Sequence, residues 1–190
     1  MSHRRIKALI LGLSAVALMS PAALAAGGST TVAVAAGALT LTGAVLANFA
    51  SVALDGTNQS STASMAVFNV NDSRGTGTGW RVTALATQFR EYDTTLNQYV
   101  VSGKSIPASS LQMSQPTMTK TGGGNSASPT VTSGPYTIDA ASAATISSAA
   151  VGAGMSKYQY GATTMTLSVP ASTYARTYRS DVTVDAVSGP

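Results

Sequence analysis

The chain has 190 residues with a formal net charge of +4, yet charged residues make up only 9% of it, against about 25% in an ordinary soluble domain. It carries no cysteine and one histidine, His3, near the N-terminus; once that segment is removed, disulfides, thiol nucleophiles, Cys or His metal sites and Ser-His-Asp triads are all excluded. A surface built from Ser, Thr, Ala, Gly and Asn resists association only weakly, which suits a coat, a wall layer or an assembly better than a freely diffusing cytosolic enzyme.

Residues 1–25 read as a bacterial export signal. Arg4, Arg5 and Lys7 form the positive head, Ala8 to Met19 the apolar stretch, and Ala23-Leu24-Ala25 the cleavage site, so the mature chain is expected to begin near Ala26. Pro21 and the alanine-rich exit argue against a retained membrane anchor, and without cysteine a lipid anchor is excluded. Cleavage removes three of the eleven basic residues and leaves eight against seven acids. Nucleic acid is excluded as a partner, because counterion-driven binding needs clustered Lys and Arg. Residues 26–190 suffice for one domain that buries about 70% of its unfolded surface.

Period-two alternation dominates the mature chain. Val32 and Val34 alternate with small residues, as do Leu39 and Leu41, and Val45 to Leu54 is a mostly apolar run ended by the Asp55-Gly56 turn. Met65, Val67 and Asn69 are predicted on one strand face, and Ala66, Phe68 and Val70 on the other. Gly75, Gly77 and Gly79 then stand at alternate positions and run into Trp80, the only tryptophan. They read as a loop folding tightly on a sheet edge. Trp80 has two candidate roles: anchoring the core, or presenting a flat amphipathic face to a partner. Trp80, Val82 and Ala84 share one face of the next strand, with Arg81, Thr83 and Leu85 opposite.

Glu91, Tyr92 and Asp93 read as a polar loop after Phe89, and residues 121–134, with Gly122-Gly123-Gly124-Asn125 and Ser133-Gly134-Pro135, as a long exposed loop. Ala140 to Ala153 fits either a helical turn or a weak strand around Ile146. Met165, Leu167 and Val169 alternate with Thr166 and Ser168 until Pro170 stops the strand. Val182 and Val184 are expected inside, with Asp181, Thr183 and Asp185 outside. Many short strands with frequent turns predict an all-β fold: a single antiparallel β-sandwich of Ig-like or Greek-key type.

Few constellations suggest chemistry. Asn69, Asn71, Asp72 and Ser73 could offer oxygen ligands to calcium, but an Asx-turn at Asp72 and a salt bridge from it to Arg74 or Arg81 are the favoured reading. No metal or cofactor is expected. Glu91 and Asp93 are the closest acid pair, and a sequence-adjacent pair in a loop lacks the cross-cleft geometry of a glycosidase dyad. No catalytic residue and no enzymatic role are expected. Tyr158 and Tyr160 share a strand face and Tyr92 and Tyr99 flank one loop, positions from which rings could stack on sugars. Tyr174 and Tyr178 read as a corner in which one hydroxyl bonds the backbone.

The segment Asp72-Ser73-Arg74-Gly75 through Gly79-Trp80-Arg81-Val82 resembles the first signature of the WxL domain, a family of exported cell-surface proteins of Gram-positive bacteria. There an Asp-x-Arg-Gly turn and glycines lead into Trp-x-Leu. Gly37-Ala38-Leu39-Thr40-Leu41, Ile106-Pro107-Ala108-Ser109-Ser110-Leu111 and Tyr174-Ala175-Arg176-Thr177-Tyr178 resemble other family segments in order, so the likeness covers most of residues 29–190. Val82 stands at the leucine position, and the family's second Trp-x-Leu, close to a terminal proline, falls on Val184-Asp185-Ala186. The resemblance implies non-covalent attachment to the cell wall, with peptidoglycan as ligand and companion surface proteins as further partners. It makes Asp72, Arg74, Gly75, Gly79, Trp80, Val82, Val184 and Ala186 the candidate wall- or partner-binding signature. The chain shows no Leu-Pro-x-Thr-Gly sorting motif and no C-terminal apolar tail, so retention at the surface is expected to be non-covalent. The expected function is that of a secreted, wall-associated protein with a structural or adhesive role; the alternative is a self-associating subunit of a surface layer, fibre or complex without a glycan ligand of its own.

Overall fold

A computed structural model describes residues 31–190; the export signal and its cleavage site lie outside the described residues. Ala35–Pro190 form one compact unit. It contains β1 (Leu39–Thr42), β2 (Gln59–Met65), β3 (Phe68–Asp72), β4 (Trp80–Ala86), β5 (Arg90–Asp93), β6 (Gln98–Tyr99), β7 (Leu111–Met113) and β8 (Met118–Lys120). The second half adds β9 (Thr130–Val131), β10 (Tyr136–Thr137), β11 (Ala144–Ala149), β12 (Lys157–Tyr160), β13 (Thr163–Val169), β14 (Tyr178–Arg179) and β15 (Val182–Ser188). No helix occurs among the described residues, and every strand pairing is antiparallel. The all-β sandwich expectation is met.

The four sheets run β1-β3-β12-β8, β10-β7-β13-β2, β15-β4-β11-β9 and β14-β5-β6. The first two are halves of one bent layer. Residues 59–72, 157–169 and 111–120 each contribute one strand to both halves, in the same lateral order. Across the bend, Gly161 N donates to Thr117 O at 2.8 Å and Ser114 N to Thr164 O at 2.8 Å, so the ladder continues. The facing layer is built likewise: β4 leads into β5 and β14 into β15, and the two long arms pair along their length.

The core lies between the layers. Trp80 of β4 meets Tyr158 of β12 with ring centroids 5.8 Å apart, and Phe68 stacks on its cross-strand neighbour Tyr160 at 4.7 Å. The Tyr160 hydroxyl pairs with Ser147 Oγ across the layers at 2.6 Å, and burial pushes its pKa up to about 12. Ile138 stitches one side shut: its N–H donates to Leu111 O and its carbonyl accepts from Ala86 N.

Alternation was a sound guide wherever a strand stays in one sheet. Trp80, Val82, Ala84, Met165, Leu167 and Val169 are buried, and Val182 and Val184 are half-buried beside exposed Thr183 and Asp185. The single-strand reading of residues 65–70 needs correction. Met65 and Phe68 are both buried while Ala66 and Val67 are exposed, because the chain bends there from one sheet to the other. Ala66 N donates to Val45 O at the bend, and the extra residue shifts the inside–outside phase by one.

Three loop readings are corrected or resolved as well. Glu91, Tyr92 and Asp93 lie in strand β5, not a polar loop. The loop read over residues 121–134 contains β9, held by Ser147 and Ser148 of β11. The Ala140–Ala153 region yields a strand, β11, in the interior of its sheet. A bulge between Thr145 and Ser147 leaves Ile146 and Ser147 both buried, which is why no clean period marked it.

Candidate functional site

The signature residues converge on the end of the sandwich where β4 begins and β15 ends. Arg74 is the centre. Its Nε donates to Asp72 Oδ1 at 2.8 Å and its Nη2 to Asp72 Oδ2 at 3.0 Å, a two-pronged ion pair. Nη2 also donates to Gly79 O at 2.9 Å, and Nη1 to Ser188 Oγ of β15 at 2.6 Å. The Arg74 N–H donates to Asp72 Oδ1 at 3.2 Å, closing the expected Asx-turn. The expected partner, Arg74 rather than Arg81, therefore takes both carboxylate oxygens. The Asp72 side chain is 1% exposed, and the Arg74 guanidinium holds its carboxyl below the ordinary value, outweighing the opposing effect of burial. The same pair raises the Arg74 pKa.

The glycines have a steric job. Gly79 sits at φ +73° with its α-carbon against β11, and a Cβ there would lie 2.4 Å from Ala149 O. Gly154, at φ +78°, forms the floor under the indole: a Cβ would stand 2.5 Å from Trp80 Nε1. That nitrogen donates to Gly154 O at 3.1 Å. Trp80 is fully buried, which settles its two candidate roles in favour of the core. Gly75 is exposed.

The two signatures are neighbours. Antiparallel pairing sets Val184 against Ala84, Ala186 against Val82 and Ser188 against Trp80. Val82 is fully buried, while Val184 and Ala186, one strand further out, are half-buried. All eight signature residues thus belong to one continuous patch of structure running from the Asp72 turn through β4 to β15.

A second feature lies at the other end of β4 and β15; the sequence marked the Tyr92 ring and the Tyr174–Tyr178 corner in it, but not their assembly. A groove of about 1060 Å³ lies between the irregular segment 44–54 and residues 173–182. Phe49, Phe89, Tyr92, Tyr174, Tyr178 and Arg179 line it. Tyr178 donates its hydroxyl to Tyr174 O at 2.9 Å, the expected corner, and burial raises its pKa. Arg179 lies over the Tyr92 ring at 4.9 Å, and Lys104 over Tyr174 at 4.5 Å. Tyr92 and Tyr99 face each other across β5 and β6 with centroids 5.3 Å apart. The sequence signal was the pairing of tyrosines with Arg and Lys in segments 90–104 and 174–179, far apart in the chain.

The other sequence candidates have structural employment. Tyr158 and Tyr160 share a face, as expected, but that face is fully buried. Glu91 accepts from Lys104 N at 2.9 Å and pairs with Arg176 at 3.2 Å. Asp93 accepts the N–H groups of Thr95 and Leu96.

The chain matches the family model described as the WxL domain, surface cell wall-binding, over residues 28–185. The matched segment ends within β15, one residue before Ala186. No curated protein and no solved structure matches the chain. With most of its length matched, the protein belongs to the WxL domain family and is a secreted, wall-associated protein of the cell surface.

Proposed function

We propose that the protein attaches non-covalently to peptidoglycan and serves a structural or adhesive role, acting by binding and not by catalysis. In this reading residues 26–190 are the mature domain, and the signature residues support binding from within. Asp72, Arg74, Gly79 and Trp80 lock the sheets that carry the groove, and the groove makes the contact. One observation carries the assignment: a groove of about 1060 Å³ places tyrosine rings beside arginines. Sugar rings present apolar faces that stack on aromatic side chains, and arginine forks pair with the carboxylates that wall polymers carry. Tyr174 is 56% exposed, with Lys104 over one face of its ring. Companion surface proteins remain compatible partners for the same face.

The test is co-sedimentation of the secreted chain with purified sacculi. The wild type is expected to pellet at low and moderate salt, and a Tyr174→Ala, Arg176→Ala double variant to stay largely in solution with an unchanged circular-dichroism spectrum. A wild type that remains in the supernatant overturns wall binding by this chain; a double variant that pellets normally overturns the groove.

A further inference from the structure

The outer edge of β15 pairs with no strand among the described residues, since β15 ends its sheet, and β1 of the other layer lies beside it. Asp181 O accepts from Thr87 N at one end, and Gly189 N donates to Gly79 O at the other. In the alternating antiparallel pattern, the backbone groups of Thr183, Asp185 and Val187 therefore face β4. Those of Val182, Val184, Ala186 and Ser188 face outward. Folded proteins usually blunt such an edge with lysine, proline or a bulge, yet β15 carries a single charge, Asp185, and pairs with β4 without a register break. Its inward row is also unfinished. Ala86, Ala84 and Val82 on β4 are buried, while their partners Val182, Val184 and Ala186 are only half-buried.

A matching segment lies at the start of the described chain. Thr31-Val32-Ala33-Val34-Ala35-Ala36 alternates at strand period, carries no charge, and is not assigned to any strand. Val32 is 85% exposed and Val34 90%. Two valines at alternate positions form a strand face without a sheet to rest on. Six residues suit the seven of β15, and no like charge opposes Asp185.

We propose that Thr31–Ala36 of one copy adds as a strand to the β15 edge of a second copy, Val32 and Val34 covering the row Val182, Val184 and Ala186. Backbone hydrogen bonds hold such an addition and alternate side chains set its register. The contact joins two different surfaces, so repetition builds an open chain of subunits unless it closes into a ring. Apart from Val182, which borders the groove, this contact uses none of the groove residues proposed to meet the wall.

Sedimentation velocity of the secreted chain over a concentration series is the test. The wild type is expected to form species larger than the monomer that grow with concentration. Two variants are expected to sediment as monomers: one lacking residues 31–35, and a Val32→Asp, Val34→Asp double variant. Both should keep the wild-type circular-dichroism spectrum and pellet with sacculi, so failure here is distinguishable from failure of wall binding. A strictly monomeric wild type overturns the proposal. So does undiminished assembly of the variant lacking residues 31–35, or a monomeric wild type alongside capture of a synthetic 31–36 peptide by that deletion variant, which would mean each copy fills its own edge.

Discussion

The two ends of the β4–β15 pair put their chemistry in opposite places. At the signature end, the ion pair and the indole are turned inward: Asp72 and Trp80 are buried, and Arg74 spends its guanidinium on Asp72, Gly79 and Ser188. The loops around it are stitched through main chain, with Gly152 N donating to Gly77 O and Gly154 N to Ala127 O. At the groove end, cations and rings lie at the surface, Arg179 over Tyr92 and Lys104 over Tyr174. The contrast teaches that the most recognisable residues of this chain are those that hold it together, while the residues free to meet a ligand lie at the opposite end of the same two strands.

The sharpest way to break this comparison is to truncate the indole. Trp80→Ala should destabilise the fold by about 3–5 kcal/mol, the range for removing a large buried aromatic, read as a lower urea midpoint. Tyr174→Ala at the groove should stay within about 0.5 kcal/mol of wild type while weakening sacculus binding. A Trp80→Ala protein of normal stability that no longer pellets with sacculi would reverse the assignment of the two ends.

Arg74 comes next. Arg74→Ala strands a buried carboxylate and should cost about 3–5 kcal/mol. Arg74→Lys keeps the charge but loses the fork that reaches Asp72, Gly79 and Ser188 together, so it should recover only part of that loss. Acid provides an independent handle on the pair. The folded Asp72 carboxyl titrates below its ordinary value. Its contribution is therefore complete above that value and is lost as pH falls through the lower folded pKa. Urea midpoints from about pH 6 to about pH 2 should decline less steeply for Asp72→Asn than for wild type.

Gly79 separates steric need from backbone strain. Gly79→Ala combines a positive φ with a 2.4 Å approach to Ala149 O, so it should cost the left-handed penalty of about 1–2 kcal/mol and a further 1–3 kcal/mol, roughly, for the overpacking. At Gly75 the φ is +69° but a Cβ meets nothing within 4 Å, so Gly75→Ala should cost only the left-handed penalty of about 1–2 kcal/mol. Equal midpoints for the two variants would refute the close approach of the loop to β11.

Much of this was legible because strand alternation survives wherever a strand keeps to one sheet, as in Trp80–Val82–Ala84 and Met165–Leu167–Val169. The Asp72–Arg74 turn was legible too, since an Asx-turn and its ion pair are local in sequence. What escaped was produced by departures from regularity. The bend at Ala66–Val67 moves one chain segment between two sheets, and the bulge at Ile146 hides a core strand in an alanine- and serine-rich stretch. The groove escaped because its lining is gathered from segments 44–54, 89–94 and 173–182, which no local pattern relates. Burial of Trp80 also could not be read locally, since Gly154, 74 positions away, supplies both its floor and its acceptor.

The finest test concerns the join between the groove and β15. Tyr178 gives one hydroxyl bond to Tyr174 O, at 2.9 Å, and its ring remains half-buried against the core. Tyr178→Phe keeps the ring and removes that bond, so stability should fall by only about 0.5–1.5 kcal/mol. The bond, however, fixes the turn that presents Tyr174 and Arg176 to the groove. Sacculus binding should therefore fall more than the loss of stability accounts for, with Tyr178→Phe and Tyr174→Ala failing to add when combined. Additive losses would mean that the corner and the exposed ring act separately, and that the groove is shaped from the 44–54 side instead.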